Sequence, residues 1–250
     1  MKKNSSNGLS WLTFDLLDRY PELVHGVFLR HGGVSPAPYH SLNVGLSTGD
    51  APHNVVRNQS LIQKALDIEA LVWLKQVHGK DVAYIHEAAS GSIGEADALV
   101  TSQPELGLMI KVADCQSVLL YDPEARIVGN IHSGWRGSVA NVIGESIEFM
   151  KREMGIEPRR MVAAVGPSLG PCCAEYRDYK KLFPADWNRY HVGDARFDFW
   201  ALTLDQLGDA GLLPEQVEMA CICTRCHTPD FFSYRGEAVT GRCASVIALK

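Results

Sequence analysis

The sequence predicts an α+β fold in a single domain spanning residues 1–250. Three observations predict it. Short apolar runs of strand length recur along nearly the whole chain. A few longer segments carry apolar residues at helical spacing, and they do not alternate with the runs in the strict rhythm of a doubly wound sheet. No repeat, low-complexity tract or linker divides the 250 residues, which suffice for one sizeable core.

Residues 11–14 and 24–30 read as short strands. A loop rich in Gly, Pro, Ser and Asn follows at 31–50, too long for a simple connection and of the kind that often carries function. Its Gly32 and Gly33 would let a ligand approach the backbone. Asp50 as N-cap and Pro52 near the first helical position open a helix, with Val55, Val56, Leu61, Ile62, Ala65 and Leu66 on one face through about Asp67. Strands follow at 71–77 and 81–86, joined by a turn at His78, Gly79 and Lys80. The series continues at 98–101, 108–112, 117–121 and 126–131, with Asp122, Pro123 and Glu124 as a turn. The best helical stripe is Val139, Val142, Ile143, Ile147, Met150 and Met154, closed by Gly155. A strand at 161–165, a helix near 199–210, a loop at 221–240 and a last strand near 244–249 complete the chain.

Composition excludes some function classes. Hydrophobic residues make up 46% and charged residues 21%, as in an ordinary globular protein. A formal charge of −5 argues against nucleic acid as partner, since phosphate backbones need a basic footprint, but leaves room for a local basic pocket. The N-terminus lacks the apolar stretch of a signal peptide, and no run is long enough to span a membrane. Seven cysteines in such a chain read as reduced thiols in the cytoplasm: ligands, nucleophiles or core residues.

The chemistry concentrates at strand ends. The run at 108–112 stops at Asp114 and Cys115, and the run at 127–131 stops at His132. Upstream, the run at 71–77 stops at His78 and Gly79. Two imidazoles and a thiolate suit zinc with one coordination position open, with copper as the rival on softness grounds. The plainer reading takes them as strand-end polars and a buried thiol. Gly134, Trp135, Arg136 and Gly137 open the stripe helix, whose N-terminus could seat an anion gripped by Arg136, or could simply be a turn. Arg30, with Gly32 and Gly33 beyond it, could hold an oxyanion. Phe231, Phe232, Ser233, Tyr234 and Arg235 offer stacking rings, a hydroxyl and a cation for a purine or sugar phosphate, or else a core strand. Cys221, Cys223, Cys226 and His227 match a haem-attachment spacing and a small zinc site formally; the favoured reading is thiols packed near the site without a metal of their own.

Several blocks together resemble one family. They are Gln76-Val77-His78-Gly79, Ala96 to Thr101, Ala113-Asp114-Cys115, Leu120-Tyr121-Asp122-Pro123, Gly134-Trp135-Arg136-Gly137, Gly166 to Cys173, Phe232-Ser233-Tyr234-Arg235 and Thr240-Gly241-Arg242. In order and joint specificity they resemble the laccase-domain, or polyphenol-oxidase-like, purine nucleoside phosphorylases of the YfiH type. The resemblance implies a four-layer α/β/β/α sandwich with mixed sheets, similar to a toxin deamidase domain. It implies zinc on His78, Cys115 and His132, phosphorolysis of adenosine, inosine, guanosine and 5′-methylthioadenosine, and adenosine deamination besides. Ser133 stands where the family usually has Ala, and Gly236 where a second Arg is common.

On this reading Cys115, Asp114 and His132 are the catalytic candidates, Asp114 as a positioning or proton-transfer group. Arg30, Gln76, Arg136, Ser233 and Arg235 are the candidates for holding substrate and phosphate. The expected partners are purine nucleosides and phosphate, the chain a monomer or weak homodimer. Three rivals are a copper oxidoreductase, a thiol hydrolase or deamidase with Cys115 as nucleophile, and a non-catalytic protein that uses the scaffold for binding. Nine histidines without any His-x-His pair cannot build the usual blue multicopper oxidase.

Overall fold

Side chains along the central strands alternate between two apolar environments, and that alternation defines the layers. The computed structural model describes residues 1–87 and 90–250. In chain order the strands and helices begin with β1 (Lys2–Ser6), β2 (Leu9–Thr13), β3 (Leu23–Phe28), α1 (Pro52–Leu66), β4 (Ala70–Lys75), β5 (Val82–Ile85), β6 (Gly91–Glu95) and β7 (Ala98–Thr101). Then come β8 (Leu106–Val112), β9 (Gln116–Asp122), β10 (Ile127–Ser133), α2 (Trp135–Val139), α3 (Val142–Met154) and β11 (Val162–Val165). The last are α4 (Tyr179–Leu182), α5 (Phe199–Asp209), β12 (Val217–Met219) and β13 (Cys243–Leu249).

Two mixed sheets form. One runs β1-β2-β3-β13-β8-β4-β6 and the other β12-β11-β9-β10-β7-β5. Leu108 and Ile110 of β8, Val72 of β4 and Ile247 of β13 pack against Leu119 and Tyr121 of β9, Val128 of β10 and Val162 of β11 between the sheets. Their neighbours point outward. Met109, Leu71 and Val246 meet Ile62 and Leu66 of α1, while Val118, Leu120 and Ile131 meet Ile143, Ile147 and Met150 of α3 and Leu207 of α5. A strand exposes alternate residues to opposite faces, so fully apolar strands bury both. The result is the α/β/β/α sandwich. No helix among the described residues is long and apolar enough to cross a membrane.

Three strands escape the sequence reading. β1 is polar throughout, yet pairs antiparallel with β2 from Lys2↔Thr13 to Ser6↔Leu9; lysines on an edge strand discourage further pairing. β6 is a largely exposed, glycine-containing edge, and β12 is three residues long. The stripe helix is also shorter than its pattern. Asn141 takes a left-handed conformation and its side chain caps Gly144 N–H, so α3 starts at Val142 and Val139 falls on the exposed end of α2. Asp50 is not the cap of α1, whose N-cap is Ala51. Its carboxylate instead takes hydrogen bonds from Ser35 (2.6 Å) and Asn43 (3.0 Å), tying down the long loop.

Topology brings the strand ends together. β4 and β8 run parallel in the first sheet, and β8 hands over to β9 of the second sheet through Ala113-Asp114-Cys115. β10 pairs antiparallel with β9, opposing His132 to Ser117. The end of β4, the β8–β9 crossing and the end of β10 therefore share one end of the sandwich.

Candidate metal centre and active site

Asp97, one residue before β7, organises this end. It is completely buried, and its carboxylate accepts the backbone N–H groups of Val77 (3.2 Å), His78 (3.0 Å) and Gly79 (2.6 Å). His78 sits at φ 60°, a costly conformation for a non-glycine residue, and these bonds hold it there. The same carboxylate lies 2.7 Å from His132 Nδ1, which fixes the proton on that nitrogen and turns Nε2 toward the site. Burial pushes the Asp97 carboxyl up, but the hydrogen bonds from His132 and Gly79 outweigh it and hold it below its ordinary value.

His78, Cys115 and His132 are thereby brought together, as their spacing predicts. Their ligand atoms lie within 4.8 Å of one another, with Cys115 Sγ 4.0 Å from His78 Nε2 and the two imidazoles edge to face at 4.8 Å. Gly134 closes the site from behind: a Cβ there would come within 2.9 Å of His78 Cδ2 and 3.0 Å of Cys115 Sγ. Burial raises the Cys115 thiol, but the charge of His132 and hydrogen bonds from both histidines bring it down to about 6. Burial lowers His132, whereas Cys115 and Asp97 raise it to about 9. The donor set and spacing fit a zinc ion. All three ligands can be reached from one small volume, and Asp97 orients one of them as metal-bound histidines require.

The site opens into a cavity of about 720 Å³. Lys75, Lys111, Arg136, Arg235 and Arg242 line it, against Asp114 as the one carboxylate among the described residues. In a chain of net charge −5 this is a concentrated positive wall. Burial, with help from Arg242, pushes Lys111 down to about 8. Trp73, Trp135, Tyr176, Phe199 and Tyr234 supply aromatic surface, and Arg235 lies over the Tyr176 ring at 5.3 Å. Pockets of this size with a few polar groups suit drug-sized ligands.

The other sequence candidates separate. Arg136 and Gln76 line the cavity, as Arg235 does. Gln76 bonds both ways to the Lys111 backbone (2.8 and 2.9 Å), extending the pairing of β4 and β8 beyond their last register position. Arg30 does not reach the cavity: it pairs with Glu237 (2.9 Å), donates to the carbonyls of His40 and Thr228, and stacks on Phe232. Gly33 and Val34 spend their amides on Ser41 and Asn58, so the glycine loop holds itself rather than an oxyanion. Ser233 is fully buried behind the wall and donates to Asp114 (2.7 Å). Phe231 and Phe232 belong to the core between the sheets. The helix that opens after Gly134, α2, is only five residues long, so its own dipole is small. Asp114, at φ 83°, takes hydrogen bonds from Thr224 (2.6 Å), Ser233 and the Arg235 amide (2.6 Å). Sequence reading missed Asp97, Lys111 and Arg242; Asp97 and Arg242 stood within the resemblance blocks Ala96 to Thr101 and Thr240-Gly241-Arg242, with no role assigned.

The family model described as "Multi-copper polyphenol oxidoreductase laccase" matches residues 24–250. The chain belongs to this family. A purine nucleoside phosphorylase of Deinococcus radiodurans is 37% identical over 244 residues, covering 92% of each chain. One of Bacteroides thetaiotaomicron is 31% identical over 258 residues, 95% of this chain and 96% of its own. Among solved structures, the hypothetical protein YfiH of Bacillus licheniformis superposes with a TM-score of 0.89 at 26% identity over 98% of each chain. YlmD of Geobacillus stearothermophilus gives 0.85 at 27% identity over 99% of this chain and 98% of its own. Among the described residues the metal-competent groups are the His78–Cys115–His132 set and one made of cysteines alone, with no histidine-rich cluster for several coppers.

Proposed function

We propose that this chain is a zinc-dependent purine nucleoside phosphorylase. It would take adenosine, inosine, guanosine and 5′-methylthioadenosine, with deamination of adenosine as a second activity at the same site. One observation carries the reading: a two-His, one-Cys set opens onto a cavity that combines an aromatic surface with four arginines and lysines beyond Lys75. Phosphate needs the cations, and a purine needs the rings. Relatives bearing the name purine nucleoside phosphorylase support it.

His78, Cys115 and His132 would hold zinc. Copper is the rival for the same donor set. Zinc would supply Lewis acidity toward an oxygen or nitrogen of the substrate. Arg136 and Arg235, with Lys111 and Arg242 behind them, hold phosphate and aim one oxygen at the ribose C1′. That oxygen bonds to C1′ as the bond from C1′ to the purine nitrogen breaks, and the base leaves with the electron pair and needs a proton. The Tyr176 hydroxyl, pushed up to about 12 mainly by burial, is a neutral donor in the same cavity. Asp114, with three donors already on its carboxylate, positions Cys115 and Arg235 rather than transferring a proton.

The test is release of hypoxanthine and ribose 1-phosphate from inosine. Release should require phosphate, stop on chelation and return with zinc. No release from zinc-loaded protein, or release indifferent to phosphate, would overturn the proposal. The Cys115–His132 contact also favours a second reading, a thiol hydrolase, because the imidazolium stabilises the thiolate. That enzyme would survive chelation and die on alkylation.

A further inference from the structure

Four cysteines meet on the far side of the cavity wall. Cys172 and Cys173 follow the turn after β11, and Cys223 and Cys226 lie in the loop after β12, some fifty residues on. Their sulfurs are all within 4.8 Å of one another, with Cys226 at 3.7 Å from Cys172 and 3.6 Å from Cys173. A zinc–sulfur bond of about 2.3 Å sets the sulfurs of a tetrahedral site about 3.8 Å apart. These separations match that edge and lie far beyond the roughly 2.05 Å of a disulfide. All four thiols are free.

We propose that Cys172, Cys173, Cys223 and Cys226 form a second, structural zinc site of tetrathiolate type. The backbone is built for it. Gly170 lets the two loops touch, since a Cβ there would stand 3.0 Å from Cys223 Cβ and 2.9 Å from the Trp200 ring. The loops are also stitched together: Ser168 N–H donates to Ile222 C=O (3.1 Å) and Thr224 N–H to Ser168 C=O (3.0 Å). Cys223-Thr224-Arg225-Cys226 has the C-x-x-C spacing of zinc knuckles. Closed four-sulfur sites leave no open position, so the role is mechanical. The site would clamp the segment that carries Tyr176 to the loop that carries Arg235, whose guanidinium already donates to Cys173 C=O (3.4 Å) and Glu175 C=O (2.8 Å). No ligand is shared with His78, Cys115 or His132, so the inference stands whatever the cavity binds.

The test is metal content of the reduced, zinc-loaded chain. Wild type should hold about two zinc ions, and Cys223→Ser/Cys226→Ser about one. Should the double variant fail to fold, Cys115→Ala answers the same question: it should keep about one zinc, with an all-sulfur shell by X-ray absorption. Cobalt in that variant should show intense thiolate-to-metal charge-transfer absorption. Equal zinc content in wild type and a folded Cys223→Ser/Cys226→Ser variant, or nitrogen around the zinc kept by Cys115→Ala, overturns the site. So does a disulfide among the four in metal-saturated protein. Loss of phosphorolysis in Cys115→Ala bears on the cavity reading alone.

Discussion

Asp97 and His132 are joined through a 2.7 Å contact between a buried carboxylate and a buried imidazole, and the same carboxylate oxygen also accepts the His78 backbone N–H. One side chain therefore sets two of the three ligands. Asp97→Asn keeps an acceptor but loses the charge and part of the backbone grip. Zinc affinity at the His78–Cys115–His132 site should fall about 10- to 100-fold. Competition titration against a chelator checks this; an unchanged affinity would mean the ligands are held by other contacts.

Gly134→Ala tests the crowding behind the ligands. The backbone at φ −87° accepts alanine, so folding stability should change by about 1 kcal/mol or less. The added methyl still points at His78 and Cys115, and zinc affinity should drop at least about tenfold. Calorimetry and metal titration on one preparation separate the two effects.

Arg136→Met and Arg30→Met should behave oppositely. Arg136 lines the cavity, and losing a charged hydrogen-bond donor should raise the phosphate KM about 10- to 100-fold. Arg30 is occupied by Glu237 and Phe232, so its loss should cost about 1–3 kcal/mol of stability and leave phosphate KM alone. Steady-state kinetics with urea unfolding distinguishes them.

His25 makes stability pH-dependent. It is buried, and its Nε2 accepts the Phe14 N–H at 2.8 Å, so the neutral ring is the folded form. Burial lowers it from 6.5 to about 4, against the opposing pull of Asp18 and Glu218. Above pH 6.5 both folded and unfolded chains keep it neutral, and nothing is lost. As pH falls from 6.5 toward 4 the unfolded chain takes up a proton that the folded chain refuses. Stability should decline over that window by on the order of 3 kcal/mol, then level for this group. Urea midpoints from pH 7 to pH 4 should fall less steeply in His25→Gln; parallel curves would contradict the assignment.

The sequence made the metal set legible because each ligand ends an apolar run, and runs ending in parallel or hairpin-paired strands converge. The α+β class was legible in the strand-length apolar runs and helical stripes, and the four-layer sandwich only through the family resemblance. Polar edges were not: β1 and β6 carry no apolar alternation, and pairing alone makes them strands. Asp97 stayed hidden because its partners are backbone amides and a ring 35 residues away. Arg30 read as an anion seat because a strand-end arginine before glycines looks the same whether or not a glutamate 207 residues later claims it. The cysteine group was half visible. Cys223 and Cys226 show a spacing, but Cys172 and Cys173 join them only in space.

If a metal on His78, Cys115 and His132 serves phosphorolysis, Cys115→Ala removes metal and activity together. Zinc content and ribose 1-phosphate formation from inosine should be measured on the same samples of wild type and variant. The variant should lose about one zinc per chain and at least about 100-fold in turnover while staying folded. Full zinc with full turnover in Cys115→Ala would contradict it.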